Sequence, residues 1–400
     1  RLTWGFAYSM PFGMIVMGAT VIGLPFARGV KGLPNAREIY LLFLLWAWFL
    51  VTTMFAFYPD AAWEQFSKVS KVLLGTFVSI LLLQEEKKCK ALIWVIALSV
   101  GFFGFKGGIW AILTGGGNMV LGPPESFIAG NTEIGLALNM VIPLLVFLRR
   151  RATKVWLRQL LLAITCLSVP ASLMTYSRGA LLGLAVVLPL LFLKSRAKLI
   201  LLPILIVGAL VGPSLMPAKW TQRMGTIETY QDDASANQRL NSWWLAFQIA
   251  KDSPVLGGGF RTFSTEIYET YMPGYVYADR QHDAHSIFLQ VLAEHGYPGL
   301  ALFVGLIVST LVSLRGLILS TRDRPDQQWI TDCARMLEVS LAAYLVSGVF
   351  LSMSYFDLFY HLVAITVLLK VFARQPVVQD AGIAIPATVM ATARRDPARA

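Results

Sequence analysis

The chain has 400 residues, 56% hydrophobic and 14% charged, with a mean hydropathy of +0.62. Soluble domains carry about a quarter charged residues, so this composition excludes an ordinary soluble globule and points to an integral membrane protein. The net charge of +11 does not indicate nucleic acid, because the basic residues fall in short clusters between apolar runs and make neither a basic stripe nor a stacking platform.

In chain order, the sequence opens at Arg1 without a methionine or a signal-peptide pattern, which predicts an upstream segment, with room for another span. With about 20 apolar residues per crossing, spans are expected near 6–27, 40–58, 72–84, 91–113, 132–148, 159–176, 180–193, 199–216, 297–314, 337–353 and 357–373. The short run at 72–84 can be extended through the amphipathic 61–71 segment. Basic clusters at 28–37, 87–90, 149–158, 194–198 and 315–324 all fall on one side, which the positive-inside rule makes cytoplasmic. The long loop 217–285 falls on the other side with six basic and eight acidic residues. The expected organisation is all-α: an N-terminal bundle of about eight spans over 1–216, an extracytoplasmic loop over 217–296 that carries the active-site residues, three spans over 297–373, and a disordered cytoplasmic tail over 374–400. The scattered Cys89, Cys166 and Cys333 indicate neither disulfides nor a metal cluster.

Several polar residues stand out against this background. Arg178 lies between two spans on the face that otherwise lacks cations, where a functional role is the default reading. Lys106, inside the fourth span, is a similar anomaly with a stem long enough to snorkel. Asn131, Glu133 and Asn139 put polar atoms at the head of the fifth span, Asn131 being a candidate cap.

In the long loop, Leu240, Trp243, Trp244, Phe247 and Ala250 recur at helical spacing after Ser235 or Asn237 as N-cap, and Asp252-Ser253-Pro254 ends the run. An amphipathic helix at the membrane interface is expected, packed on the bundle mouth or in the headgroup layer. Arg239 falls in its first turn, as a functional cation or as the ion-pair partner of Asp232 or Asp233. The amides of Gly257–Gly259 offer either an anion-approachable turn or a merely flexible one.

From Ser286 to His295 the pattern reads as a helix with His285 at its N-terminus, Gly296 at C′ and Pro298 as a stop. The positive end of a helix disfavours imidazolium and welcomes an anion, so a neutral His285 beside a phosphate is poised to accept a proton. His282-Asp283-Ala284-His285 also admits a metal pair, but no cysteine or acidic trio completes it. His295 reads as a C-terminal cation or a packing residue, and His361 as a hydrogen-bonded span residue.

His285-Ser286, nine residues, then Gly296-Tyr297-Pro298-Gly299 resembles the H[N/S/Q]-x9-G-x-x-G signature of bacterial O-antigen ligases, in the O-antigen ligase and polymerase superfamily. Ser177-Arg178-Gly179, then Arg239 with Trp243 or Trp244, Ser253-Pro254 and Gly257–Gly259 resemble that family in the same order, over about residues 130 to 370. The opening Arg1-Leu2-Thr3-Trp4-Gly5-Phe6 is similar to the exosortase-associated O-glycosylation ligase subgroup. The resemblance implies a membrane glycosyltransferase of GT-C type with about eleven or twelve spans and a large periplasmic loop with amphipathic helices. It implies a place in the bacterial inner membrane with the site facing the periplasm. It further implies an undecaprenyl-pyrophosphate-linked O-antigen as donor, lipid A-core oligosaccharide as acceptor in lipopolysaccharide biosynthesis, inversion at the anomeric carbon, and neither metal nor cofactor. His285 would then be the general base, and Arg178 and Arg239 would stabilise the pyrophosphate. Arg261, Arg280 and His282 would contact substrate.

Polymerase and protein O-oligosaccharyltransferase readings within the superfamily differ in the acceptor. A lipid-linked glycan flippase or exporter would need ionisable residues along a central path, whereas here they gather at one face, Lys106 being the main exception.

Overall fold

The structure, a computed structural model, describes residues 12–26, 32–195, 198–211, 214, 216–225, 234–274 and 283–375. Among these residues it is helical, with no strand: α1 (Phe12–Gly23), α2 (Arg37–Met54), α3 (Pro59–Leu82), α4 (Glu86–Leu113), α5 (Asn131–Arg151), α6 (Val155–Leu173), α7 (Arg178–Leu193), α8 (Lys198–Val211), α9 (Ala218–Gly225), α10 (Ala234–Asp252), α11 (Thr265–Tyr271), α12 (Ile287–Thr321), α13 (Gln328–Gly348) and α14 (Asp357–Arg374). Each predicted apolar run falls largely on a helix, and six helices (α2 to α6 and α12) are long and apolar enough to cross a membrane. The chain is therefore a polytopic all-α membrane protein. α3 runs unbroken from Pro59, whose fixed φ suits a first helical position, and so absorbs the 61–71 segment into one helix.

α5 is the most deeply buried of the six candidate spans. α13 packs against α5, α7 and α12, while α4 lies along α6. The last contact is close because α4 offers glycines: a Cβ on Gly108 would lie 2.2 Å from the Leu167 carbonyl oxygen. Small residues that let backbones approach are a principal device of helix association in lipid, where no hydrophobic drive separates protein from tails.

The bundle has two chemically different ends. At one, the predicted basic clusters meet acids of α13, with Arg151 to Asp332 at 3.0 Å and Lys194 to Glu338 at 2.7 Å. At the same end the buried Glu38 of α2 accepts from Lys370 Nζ of α14 at 2.7 Å and from Ser309 Oγ of α12 at 3.2 Å. The opposite end holds the N-terminus of α7, the helices of the long loop and the turn between α13 and α14. There the amphipathic α10 differs from expectation. It begins at Ala234, so Ser235 and Asn237 lie inside it and Arg239 sits in its second turn. It buries Ser242, Leu245, Ala246 and Ile249 beside Ile267, Tyr268 and Ala293, whereas Leu240, Trp244 and Phe247 are exposed. The helix is thus apolar on two sides, and the expected face is split: Ala250 is buried and Trp243 half-buried, whereas Leu240, Trp244 and Phe247 turn away from the protein. The expected tail over 374–400 lies outside the described residues, apart from Arg374, which ends α14, and Gln375.

Candidate functional site

Arg178 opens α7, with Ser177 as N-cap accepting from the Ala180 N–H at 3.1 Å. The turn before it is pinned from α5. Asn131 Nδ2 donates to the Thr175 carbonyl at 2.8 Å, and the buried Asn139 donates to the Ala180 carbonyl at 2.7 Å while accepting from Ser172 at 2.8 Å. Asn131 is therefore a tether and not the expected cap, because Gly130 occupies the cap position. The Arg178 guanidinium is half-buried and donates to the Arg223 carbonyl of α9 at 3.3 Å. A guanidinium fixed at a helix N-terminus adds its charge to that of the free amides, an arrangement suited to phosphate oxygens.

His285 immediately precedes Ser286, the N-cap of α12, whose hydroxyl accepts from the Leu289 N–H at 3.5 Å. It adopts φ of 48°, left-handed for a histidine, and its N–H donates to Ser352 Oγ at 2.7 Å. The first segment of α12 is fastened along one face to the turn after α13. Ser354 Oγ donates to Gln290 Oε1 at 2.8 Å, and the Tyr355 hydroxyl donates to Glu294 Oε2. With its proton given to Glu294, Tyr355 accepts from His295 Nε2–H at 2.8 Å, and Thr52 Oγ1 then donates to Nδ1 at 2.6 Å. Burial first, and then the Glu294 carboxylate, hold the Tyr355 hydroxyl well above the ordinary phenol range, so it stays a donor. His295 is fully buried between the rings of Phe49 and Phe260. The expectation of a cation is overturned: both ring nitrogens are satisfied by hydroxyls without a second proton, leaving the packing role.

The glycine motifs are explained by one junction. Gly296 adopts φ of 65° and ψ of −173°, a region essentially reserved for glycine, and breaks α12 into two helices before Pro298. A Cβ there would lie 2.2 Å from the Val255 carbonyl oxygen, and the Tyr297 N–H donates to the Pro254 carbonyl at 2.9 Å. The Gly258 and Gly259 amides donate to the Ala293 and Glu294 carbonyls at 2.8 and 2.9 Å. These amides cap the orphan carbonyls of the first helical segment, which overturns the anion-turn reading of the triplet.

Phe350, in the turn after α13, gathers the other candidates. Trp243 packs on it with ring centroids 6.2 Å apart, Arg239 lies one helical turn before Trp243, and Gly179 backs on Phe350 and Ser347 from α7. The start of α7 beside Arg178, the stretch of α10 one turn after Arg239, and the His285 backbone thus border the Ser347–Ser352 segment. Arg261 stands apart from it: exposed, with φ of 62°, its N–H donates to Glu294 Oε1 at 3.1 Å. Arg280 and His282 lie outside the described residues. His361 Nδ1–H donates to the Asp357 carbonyl at 2.8 Å, a hydrogen-bonded helix residue as expected. Sequence reasoning missed Gln290, Glu294, Ser352 and Tyr355. Their signal was present as polar residues four apart on an otherwise apolar helix, and as the hydroxyl-rich Ser352–Tyr355 turn.

Fold and site together describe a multi-pass helical membrane protein with arginines and a histidine gathered at one end. Residues 161–304 match the family model for O-antigen ligase, and residues 1–153 match that of a family of unknown function. The matched O-antigen ligase segment holds Arg178, Arg239, His285 and the Gly296–Gly299 motif, and it supports assignment to that family and a membrane enzyme of glycosyltransferase type. A search of curated proteins finds no match to the chain.

Proposed function

We propose that the chain is an O-antigen ligase that moves a glycan en bloc from undecaprenyl pyrophosphate to a hydroxyl of lipid A-core oligosaccharide, with inversion and without metal. The observation that carries this reading is that His285 and the helices bearing Arg178 and Arg239 border one turn, Ser347–Ser352, and that all three residues lie within the segment that matches the ligase family. The acceptor oxygen attacks the anomeric carbon from the face opposite the pyrophosphate, and its proton passes to His285. The anomeric carbon–oxygen bond breaks and its electron pair leaves with undecaprenyl pyrophosphate, on which negative charge grows. Arg178 at its helix N-terminus and Arg239 neutralise that charge. Arg261, Arg280 and His282 serve as further substrate contacts. The basic end of the bundle lies in the cytoplasm and the site in the periplasm, in keeping with the positive-inside rule.

Purified chain in liposomes, given lipid-linked glycan and lipid A-core, is expected to form a higher-mass lipid product equally with and without EDTA. Loss of product under EDTA would contradict metal independence. Product formed only with a second lipid-linked glycan as acceptor would replace ligation by polymerisation, and product formed only with a protein acceptor would indicate an oligosaccharyltransferase.

A further inference from the structure

Beside His285 lies a cavity of about 770 Å³, walled by the start of α3, the chain after the glycine turn, Asp283–Ala284 and the turn after α13. Its wall is predominantly acidic. Among the described residues, Glu64, Glu266 and Asp283 line it as exposed carboxylates beside Arg261, with Lys68 paired to Glu64 at 2.7 Å. Its own backbone N–H, followed by the Ser264 hydroxyl, holds Glu266 below the ordinary carboxylate range, so it is ionised at neutral pH. Glu294 is buried, which pushes its carboxyl up to about 7 so that it adds only part of a charge at neutral pH, and its bond to the Arg261 N–H steadies that residue in its left-handed conformation at the wall.

Two further features point to what would fill the space. Gln65 and Gln290 add amide groups to the wall. Phe127 and Phe263 add ring surface to the same wall. Carboxylate and amide acceptors beside aromatic rings suit a ligand that brings many hydroxyl donors and apolar C–H faces, which is a saccharide. The same carboxylates repel phosphate. Ala284 and Ser352 line the cavity, and Ser352 holds the His285 N–H, so the cavity adjoins the proposed base.

We propose that this cavity is the subsite for an uncharged, hydroxyl-rich saccharide terminus of the acceptor, and that its carboxylates reject phosphorylated or carboxylated sugars. The assignment to the acceptor rests on the ligase reading, whereas the charge preference rests on the cavity alone. For a lipid A-core acceptor, a neutral terminal sugar enters and the anionic portion stays outside.

The test is a binding titration of the full chain in nanodiscs, without donor, using maltotriose and maltotriose bearing one phosphate ester. The neutral sugar is expected to bind at least about tenfold more tightly. In the combined variant Glu64→Gln, Glu266→Gln and Asp283→Asn, all exposed positions, the preference should fall below about threefold with the melting temperature unchanged. Equal or tighter binding of the phosphorylated sugar, no binding of maltotriose at millimolar concentration, or an undiminished preference in the folded variant would each overturn the proposal. Because no transfer is read, failure of the ligase reaction in liposomes leaves this result standing, and the reverse holds too.

Discussion

At the scale of single residues, the candidate site is held by hydroxyls. His285 keeps a left-handed backbone that costs a non-glycine residue about 1–3 kcal/mol, and Ser352 is the partner that fixes its N–H. Replacing His285 by alanine should lower transfer by about 10²–10⁴-fold, the usual contribution of a general base, with donor binding retained. Full transfer in the liposome assay would remove His285 from that role. Tyr355 is a different kind of residue, since its hydroxyl satisfies two buried groups at once, His295 and Glu294. Tyr355→Phe should cost about 1–3 kcal/mol through the groups left unpaired, read as a drop in melting temperature in detergent. His295 shows why local reasoning fell short. The helix-end argument for a cation is sound for an exposed histidine, but Thr52 from α2 and Tyr355 from the turn after α13 arrive from distant parts of the chain.

At the scale of elements, the break in α12 decides where the site ends and the span begins. Gly296 is needed both for its backbone angles and for the passage of Pro254 and Val255. Gly296→Ala is expected to destabilise the loop by about 2–4 kcal/mol, through strain added to the carbonyl clash, and to expose 253–262 to limited proteolysis. Gly316, further along the same helix, has nothing within 4 Å of an added Cβ. Gly316→Ala should therefore be neutral or stabilising by up to about 1 kcal/mol, and a destabilisation there as large as that of Gly296→Ala would undo the contrast. α10 teaches a related point. Its length and end were legible from helical spacing, but Leu245 and Ile249 face protein while Trp244 and Phe247 do not. Apolar side chains suit lipid and protein alike, so hydrophobicity alone did not separate the two faces.

At the scale of the whole molecule, the bundle is closed at its basic end by Glu38, a fully buried acid joining α2, α12 and α14. Removing one partner of such a pair leaves a buried charge, so Lys370→Met should cost about 3–5 kcal/mol in denaturant unfolding. Replacing both Glu38 and Lys370 by methionine should recover most of that loss. No recovery would mean that Arg37, 3.6 Å from the same carboxylate, and the serines carry the contact instead. The pair lies across the bundle from the candidate site, so its effect is expected on stability and not on sugar selectivity.

The sequence by itself determined the helical membrane class, the positions of the apolar runs, the break at Gly296 and the segment in which function gathers. These follow from local quantities: length of apolar run, charge per linker, and backbone angles open only to glycine. The tertiary structure alone decided that α7, α10 and His285 border the turn after α13, that the glycine triplet serves carbonyls and not an anion, and that acidic residues wall a cavity beside His285. Each of these depends on groups far apart in the chain, whose mutual hydrogen bonds and burial leave no periodicity to read.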